Sequence, residues 1–234
     1  MLRAVLASVS TYSPVVNAVP GDSADEGDPL GPALLPVLMH SLGGATQMLS
    51  SLNAVLALPD GRRWLDAKAS DLGAVSREIE DLGWLLAVLA SAAGADLLQA
   101  RREERGLEII VRAVRDALRR SGRDLAGAER SLPRLAPNVA DGWQLPWSVG
   151  ALLLASGSAL GSESGALEWG LEREPRAANV RLWAHCEPET SQLACVVTRV
   201  RERLAAARFD RAERGWQLEF PATWLLPPRE EVAP

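Results

Sequence analysis

Leu35, Leu38, Leu42, Ala45, Leu49, Leu52 and Leu56 recur at intervals of 3, 4, 3, 4, 3 and 4 residues. This heptad seam, held through three repeats, suits a helix packed along its length and cannot be read as a strand. Pro59, Asp60 and Gly61 in "LPDGRRW" then break the helix and turn the chain. A second seam follows at Leu72, Val75, Ile79, Leu82, Leu86, Leu89 and Ala93, with Asp71 set to cap its start. Two such helices and a short connection predict an antiparallel hairpin. A lone hairpin cannot bury both seams, and Met48, Val55, Leu85 and Val88 widen the apolar stripes beyond what it needs. A homodimer closing a four-helix bundle is the expectation.

The stretch "LMHSLGGATQML" holds His40, one of only two histidines, beside a Gly-Gly pair in mid-helix. Each glycine there costs about 1 kcal/mol relative to alanine. With Leu35 at position a and Leu38 at d, His40 falls at f, turned away from the seam. Gly43, Gly44, Gln47 and Ser51 continue that face over the next turns. The glycines clear a surface on which another protein's backbone can come close to the imidazole. The plainer alternative is a solvent-exposed histidine on a face that tolerates glycine.

Beyond residue 99 the texture changes. "GLEIIVRAVRDALRRSG" reads as an amphipathic helix and "WSVGALLLASGSAL" as a buried one. "GALEWGLEREP" and "NVRLWAHCEP" read as strands joined at "PRAAN", "SQLACVVTRVRERLAAARF" as a helix, and "RGWQLEFPA" as a closing strand. Helices and strands mixed in this way predict an α+β domain. The division is therefore a flexible segment over 1–32, ending in "PGDSADEGDPLGP", a helical hairpin over 33–99, an α+β domain over 100–227 and a tail over 228–234.

Composition narrows the function. A hydrophobic share of 47% is enough for a core, and a net charge of -5 argues against general nucleic-acid binding. No apolar run reaches about 18 residues, the length a membrane span needs, and the first twenty residues make a poor signal peptide. A cytoplasmic protein is expected. Cys186 and Cys195 are the only cysteines, at an offset that matches no common zinc pattern, so reduced thiols are expected and no metal site.

At "HSLGG" the segment resembles the H-box of two-component sensor histidine kinases, in which a histidine opens a motif of the kind H-[DE]-L-x-[NTG]; His40, Leu42 and Gly44 match. The hairpin is similar to that family's dimerisation and phosphotransfer domain, and the order of later elements to its ATP-binding domain, an α/β sandwich. The resemblance runs over roughly residues 33–225, though beyond the hairpin only element order carries it. Where the family has an asparagine-rich box, this chain reads "GALLLASGSAL"; where a D-x-G-x-G loop belongs, it reads "EPETSQ". Phosphate binding needs glycine-exposed amides and a metal held by oxygen ligands, so ATP binding is not expected and no cofactor is implied. A retained histidine beside a lost nucleotide site resembles the phosphorelay histidine phosphotransferases with a degenerate kinase fold. This resemblance makes His40 the phosphorylated residue, response-regulator receiver domains the partners, and Ser41, Gly43, Gly44, Gln47 and Ser51 the contact surface. Ser41 stands where the family has an acid, which keeps open a second reading as a scaffold without phosphoryl chemistry.

Three other patterns are set aside. "GSESG" at 161–165 has Glu163 where a nucleophile elbow needs serine. His185 and Cys186 are strand neighbours, whose side chains point to opposite faces, so they are not a catalytic pair. The eight tryptophans, six of them from Trp143 onward, are read as packing, and "RREERG" at 101–106 as a solvated joint.

Overall fold

The two heptad runs form α1 (Leu30–Leu56) and α2 (Ala69–Ala92) in the computed structural model of the chain. It describes residues 28–60, 63–64, 69–92, 106–127, 132–136, 144–160, 165–173, 177–186 and 190–226. Helix α1 begins before its first seam residue, at Leu30, whose amide donates to Asp28 Oδ1 at 3.0 Å. Asp71 lies within the first turn of α2, where a carboxylate favours the helix dipole, and not at the cap position expected for it. Leu38 and Leu82 belong to one buried cluster, while Ser41 shares a cleft with Ala74 and Glu78. Asp28, just before α1, and Ala92, at the end of α2, are both tied to Trp147, the first directly and the second through Arg203, so the two helices run antiparallel, as a short connection predicts.

The rest of the chain follows in the order α3 (Leu107–Arg119), β1 (Asp124–Ala126), β2 (Arg134–Leu135), α4 (Gln144–Ala159), β3 (Ala166–Glu172), β4 (Asn179–His185), α5 (Ser191–Arg203), β5 (Arg208–Ala212), β6 (Gly215–Pro221), a 3-10 turn at Ala222–Trp224, and β7 (Leu225–Leu226). The chain is thus α+β. Five strands form one sheet in the order β1-β3-β4-β6-β5, with β1 parallel to β3 and the other pairs antiparallel; β2 and β7 pair separately. Strict alternation gives the sheet one buried face, carrying Leu167, Trp169, Val180, Leu182, Ala184, Trp216, Leu218 and Phe220. These residues share a core with α3, α4 and α5.

Several elements differ from expectation for identifiable reasons. The helix expected to run on to Phe209 stops at Arg203, and Arg208–Ala212 pairs with β6 as a strand. Gly215, at the start of β6, has φ +151°, and a Cβ there would collide with the Ala184 carbonyl of β4, so glycine lets β6 pair closely with β4. Helix α4 starts a turn before Trp147 because Pro146 falls in its first turn, where a missing amide costs little. The segments 1–27, 161–164, 101–105 and 227–234 lie outside the described residues, as does the border expected at 99–100.

The hairpin and the later elements share one core. Leu30, Leu34 and Leu38 of α1 and Trp84, Leu85 and Val88 of α2 belong to the same cluster as Ile110, Trp147 and the buried sheet face. Leu85 and Val88, expected to widen a bundle stripe, instead face the chain's own second half. Trp84, Trp147, Trp169 and Trp216 are buried, in keeping with tryptophan as packing.

Candidate functional site

Each heptad seam is split in two. On α1 the d residues Leu38 and Ala45 turn inward, only 4% and 3% exposed, and Leu52 is half-buried. The a residues Leu35, Leu42, Leu49 and Leu56 turn outward, all between 47% and 56% exposed. On α2 Val75 and Leu82 are buried, while Ile79 and Leu86 stand exposed at 37% and 49%. With Met39 added, an apolar stripe at heptad spacing runs along the outside of both helices.

His40 lies on neither apolar surface. It is exposed, and at about 100° per residue it sits some 140° round α1 from Leu35. Among the described residues nothing accepts from or donates to its ring nitrogens. Pro36 stands one turn below it and Gly44 one turn above, both exposed. A Cβ added at Gly43 or Gly44 would meet no atom within 4 Å. Packing among the described residues therefore gives no reason for either glycine, in contrast to Gly150, where a Cβ would come within 2.7 Å of Ile110.

The polar residues along this helix are largely turned back on it. Thr46 Oγ donates to the Leu42 carbonyl at 2.8 Å, Ser50 Oγ to Thr46 at 3.0 Å and Ser51 Oγ to Gln47 at 2.9 Å. Of the expected contact residues, Gly43, Gly44, Gln47 and Ser51 are exposed on the helix that carries His40. Ser41 parts from them: it is half-buried and lines a cleft of 570 Å³ between α1, α2 and α3. Pro36 and the cleft are the features that reading the sequence missed. Pro36 sits at i−4 from His40 and could have been found by spacing alone.

His185 and Cys186 are separated as expected. His185 is exposed on the open face of the sheet, its Nδ1 3.0 Å from Glu168 Oε2 directly across the β3–β4 pair, and its ring 4.7 Å from that of Trp183. Cys186 is buried on the opposite side, where burial pushes its thiol pKa up against the opposing hydrogen bonds with Ser156 and Trp216. A buried, protonated thiol is a poor nucleophile.

Helix α4 is buried from Leu145 to Gly157, and 186–190 are all that link β4 to α5. Among the described residues no helix is long and apolar enough to cross a membrane, and no group of three or more His, Cys, Asp or Glu side chains could hold a metal ion. No protein-family model matches this chain, and no curated protein matches it.

Proposed function

We propose that the chain is a phosphorelay histidine phosphotransferase that carries a phosphoryl group on His40 and docks response-regulator receiver domains. The observation that carries this reading is an exposed imidazole, with no hydrogen-bond partner among the described residues, on a helical face away from the apolar stripe. In-line transfer asks little more of a protein than a positioned nucleophile. An imidazole nitrogen attacks the phosphorus of an aspartyl phosphate, the P–N bond forms, and the aspartate leaves as a carboxylate; the receiver supplies its own magnesium. Glycines at 43 and 44 keep side chains out of the space above the ring, which supports close approach by a foreign backbone.

The reading includes a cytoplasmic homodimer. Burying the exposed part of each apolar residue in the stripe is worth about 1 kcal/mol, and a second copy presents the same stripe at the same spacing. The result is a four-helix bundle with both His40 side chains outside it. The second half is then a degenerate kinase-ATPase-like domain that supports the hairpin without binding ATP. The residues between β4 and α5, Cys186 to Thr190, include no glycine to expose amides to phosphate, and α4 is buried from Leu145 to Gly157.

Ser41 favours the second reading, a dimeric scaffold that binds partners without phosphoryl chemistry. The residue after His40 is not an acid, and it faces a cleft. Incubation with receiver domains charged from radiolabelled acetyl phosphate separates the two. Label on the wild type that is lost in His40→Gln supports transfer; binding without label in either protein establishes the scaffold.

A further inference from the structure

The cleft at Ser41 has a definite chemistry. Leu38, Leu82 and Ile109 give it aliphatic walls, and five charged side chains share the lining. Asp81 and Arg112 answer each other through an ion pair at 2.9 Å. The remaining three are Glu78, Asp116 and Arg77, and none of them makes a hydrogen bond or ion pair with a described residue. The lining thus carries three carboxylates against two guanidiniums, one carboxylate in excess. The cleft's volume lies within the range of about 300–1,000 Å³ common for ligand sites.

The position is as informative as the lining. Ser41 is on the cleft wall and His40 precedes it, so the imidazole stands about 100° round α1 from the cleft, on the adjoining face. The apolar stripe is elsewhere: Glu78 and Leu85 line the cleft, while Ile79 and Leu86, each about 100° further round α2, belong to the stripe. Cleft and stripe thus occupy different faces of α2.

The geometry points to this cleft as the second anchor of the protein that docks at His40, taking one lysine or arginine side chain of that protein. A long basic side chain lays an aliphatic stem along apolar walls while its charged head stays near water, and the excess carboxylate of the lining meets that head. The inference rests on the docking reading of His40 for its partner, whereas the cleft's preference for a cation is tested without any partner.

The first test is an amide-shift titration of the isotopically labelled full chain with hexylamine, hexanol and hexanoate. Hexylamine should move the amides of Leu38, Ile109 and Ala113 and bind at least tenfold more tightly than the other two. Pairing Glu78→Gln with Asp116→Asn should weaken it about tenfold, and Arg77→Ala should strengthen it. Equal binding of hexanol, or tighter binding of hexanoate, overturns the inference. The second test uses a receiver domain that labels His40: Glu78→Lys should raise KM about tenfold with kcat unchanged, and an unchanged KM overturns the cleft as an anchor even though label appears. If no receiver labels His40, the phosphotransfer reading fails and the amine titration alone decides the cleft.

Discussion

Arg203 lies with its guanidinium carbon 4.1 Å from the centre of the Trp147 ring, and its Nη2 donates to the Ala92 carbonyl at 3.0 Å. One side chain thus joins the end of α5, the start of α4 and the last turn of α2. Trp147 Nε1 in turn reaches Asp28 Oδ2 at 3.4 Å, so the start of α1 is tied to the same point. Helix C-termini leave carbonyls unpaired, and a cation there is favourable. Arg203→Leu should cost about 1–3 kcal/mol, from the lost stacking and the orphaned carbonyl. Chemical denaturation measures the loss, and amide exchange should quicken at the end of α2 before anywhere else in the hairpin. Uniform quickening would show that Arg203 does not act at that joint.

Glycine at 43 and 44 has a predicted cost that substitution should recover. Neither position has positive φ, and a Cβ at either touches nothing within 4 Å. Gly43→Ala and Gly44→Ala should each stabilise the helix by about 1 kcal/mol, a rise of about 2–4 °C in Tm for a chain of this size. The same variants should lower phosphoryl transfer to His40, because a methyl group enters the landing surface. Greater stability with undiminished transfer would remove the docking explanation for the glycines.

The sequence carried the helices well and their facing poorly. A 3, 4 alternation identifies α1 and α2, yet the same pattern serves a seam inside one chain and a seam between two. Nothing in the spacing told Leu38, which is buried, from Leu35, which is outside, or showed that Leu85 and Val88 belong to the core. Longer strands such as Asn179–His185 were legible through alternation. Strands β1, β2 and β7, two or three residues each, offer no periodicity at all. His40 was placed correctly on an outward face because one helix decides that. The cleft was invisible because its walls come from residues 37–41, 74–85 and 109–116, which only tertiary packing brings together.

Leu85 and Leu86 show the difference in energy between the two surfaces. Leu85 is 4% exposed within the core, and Leu86 stands on the outer stripe. Leu85→Ala should destabilise the fold by about 2–5 kcal/mol. Leu86→Ala should cost the fold under about 0.5 kcal/mol, as surface changes do, and loosen the dimer instead. Denaturation and light scattering on the two variants separate the effects. Leu42→Glu and Leu49→Glu should go further and give folded monomers, since each puts a charge into the stripe. A wild-type chain that is monomeric at tens of micromolar would end the bundle proposal.

Asp124 sets the acid limb of stability. Partial burial opposes its charged form, but the pair of bonds from Arg119 Nε and Nη2 at 3.1 and 3.0 Å, the Leu125 amide at 2.8 Å and the nearby Arg115 outweigh that, and its pKa is lowered. A depressed carboxylate pKa stabilises the fold above the unfolded value of about 3.9, and the benefit is lost as pH falls through the folded pKa. The carboxylate is 37% exposed, so solvent screening limits the gain to about 0.5–1 kcal/mol. Asp124→Asn should lose that amount at pH 7 and nearly nothing at the lowest pH where both proteins stay folded. The two stability curves should therefore converge below about pH 4, and curves that stay parallel would mean that the asparagine has disturbed packing between α3 and β1 and not an ion pair.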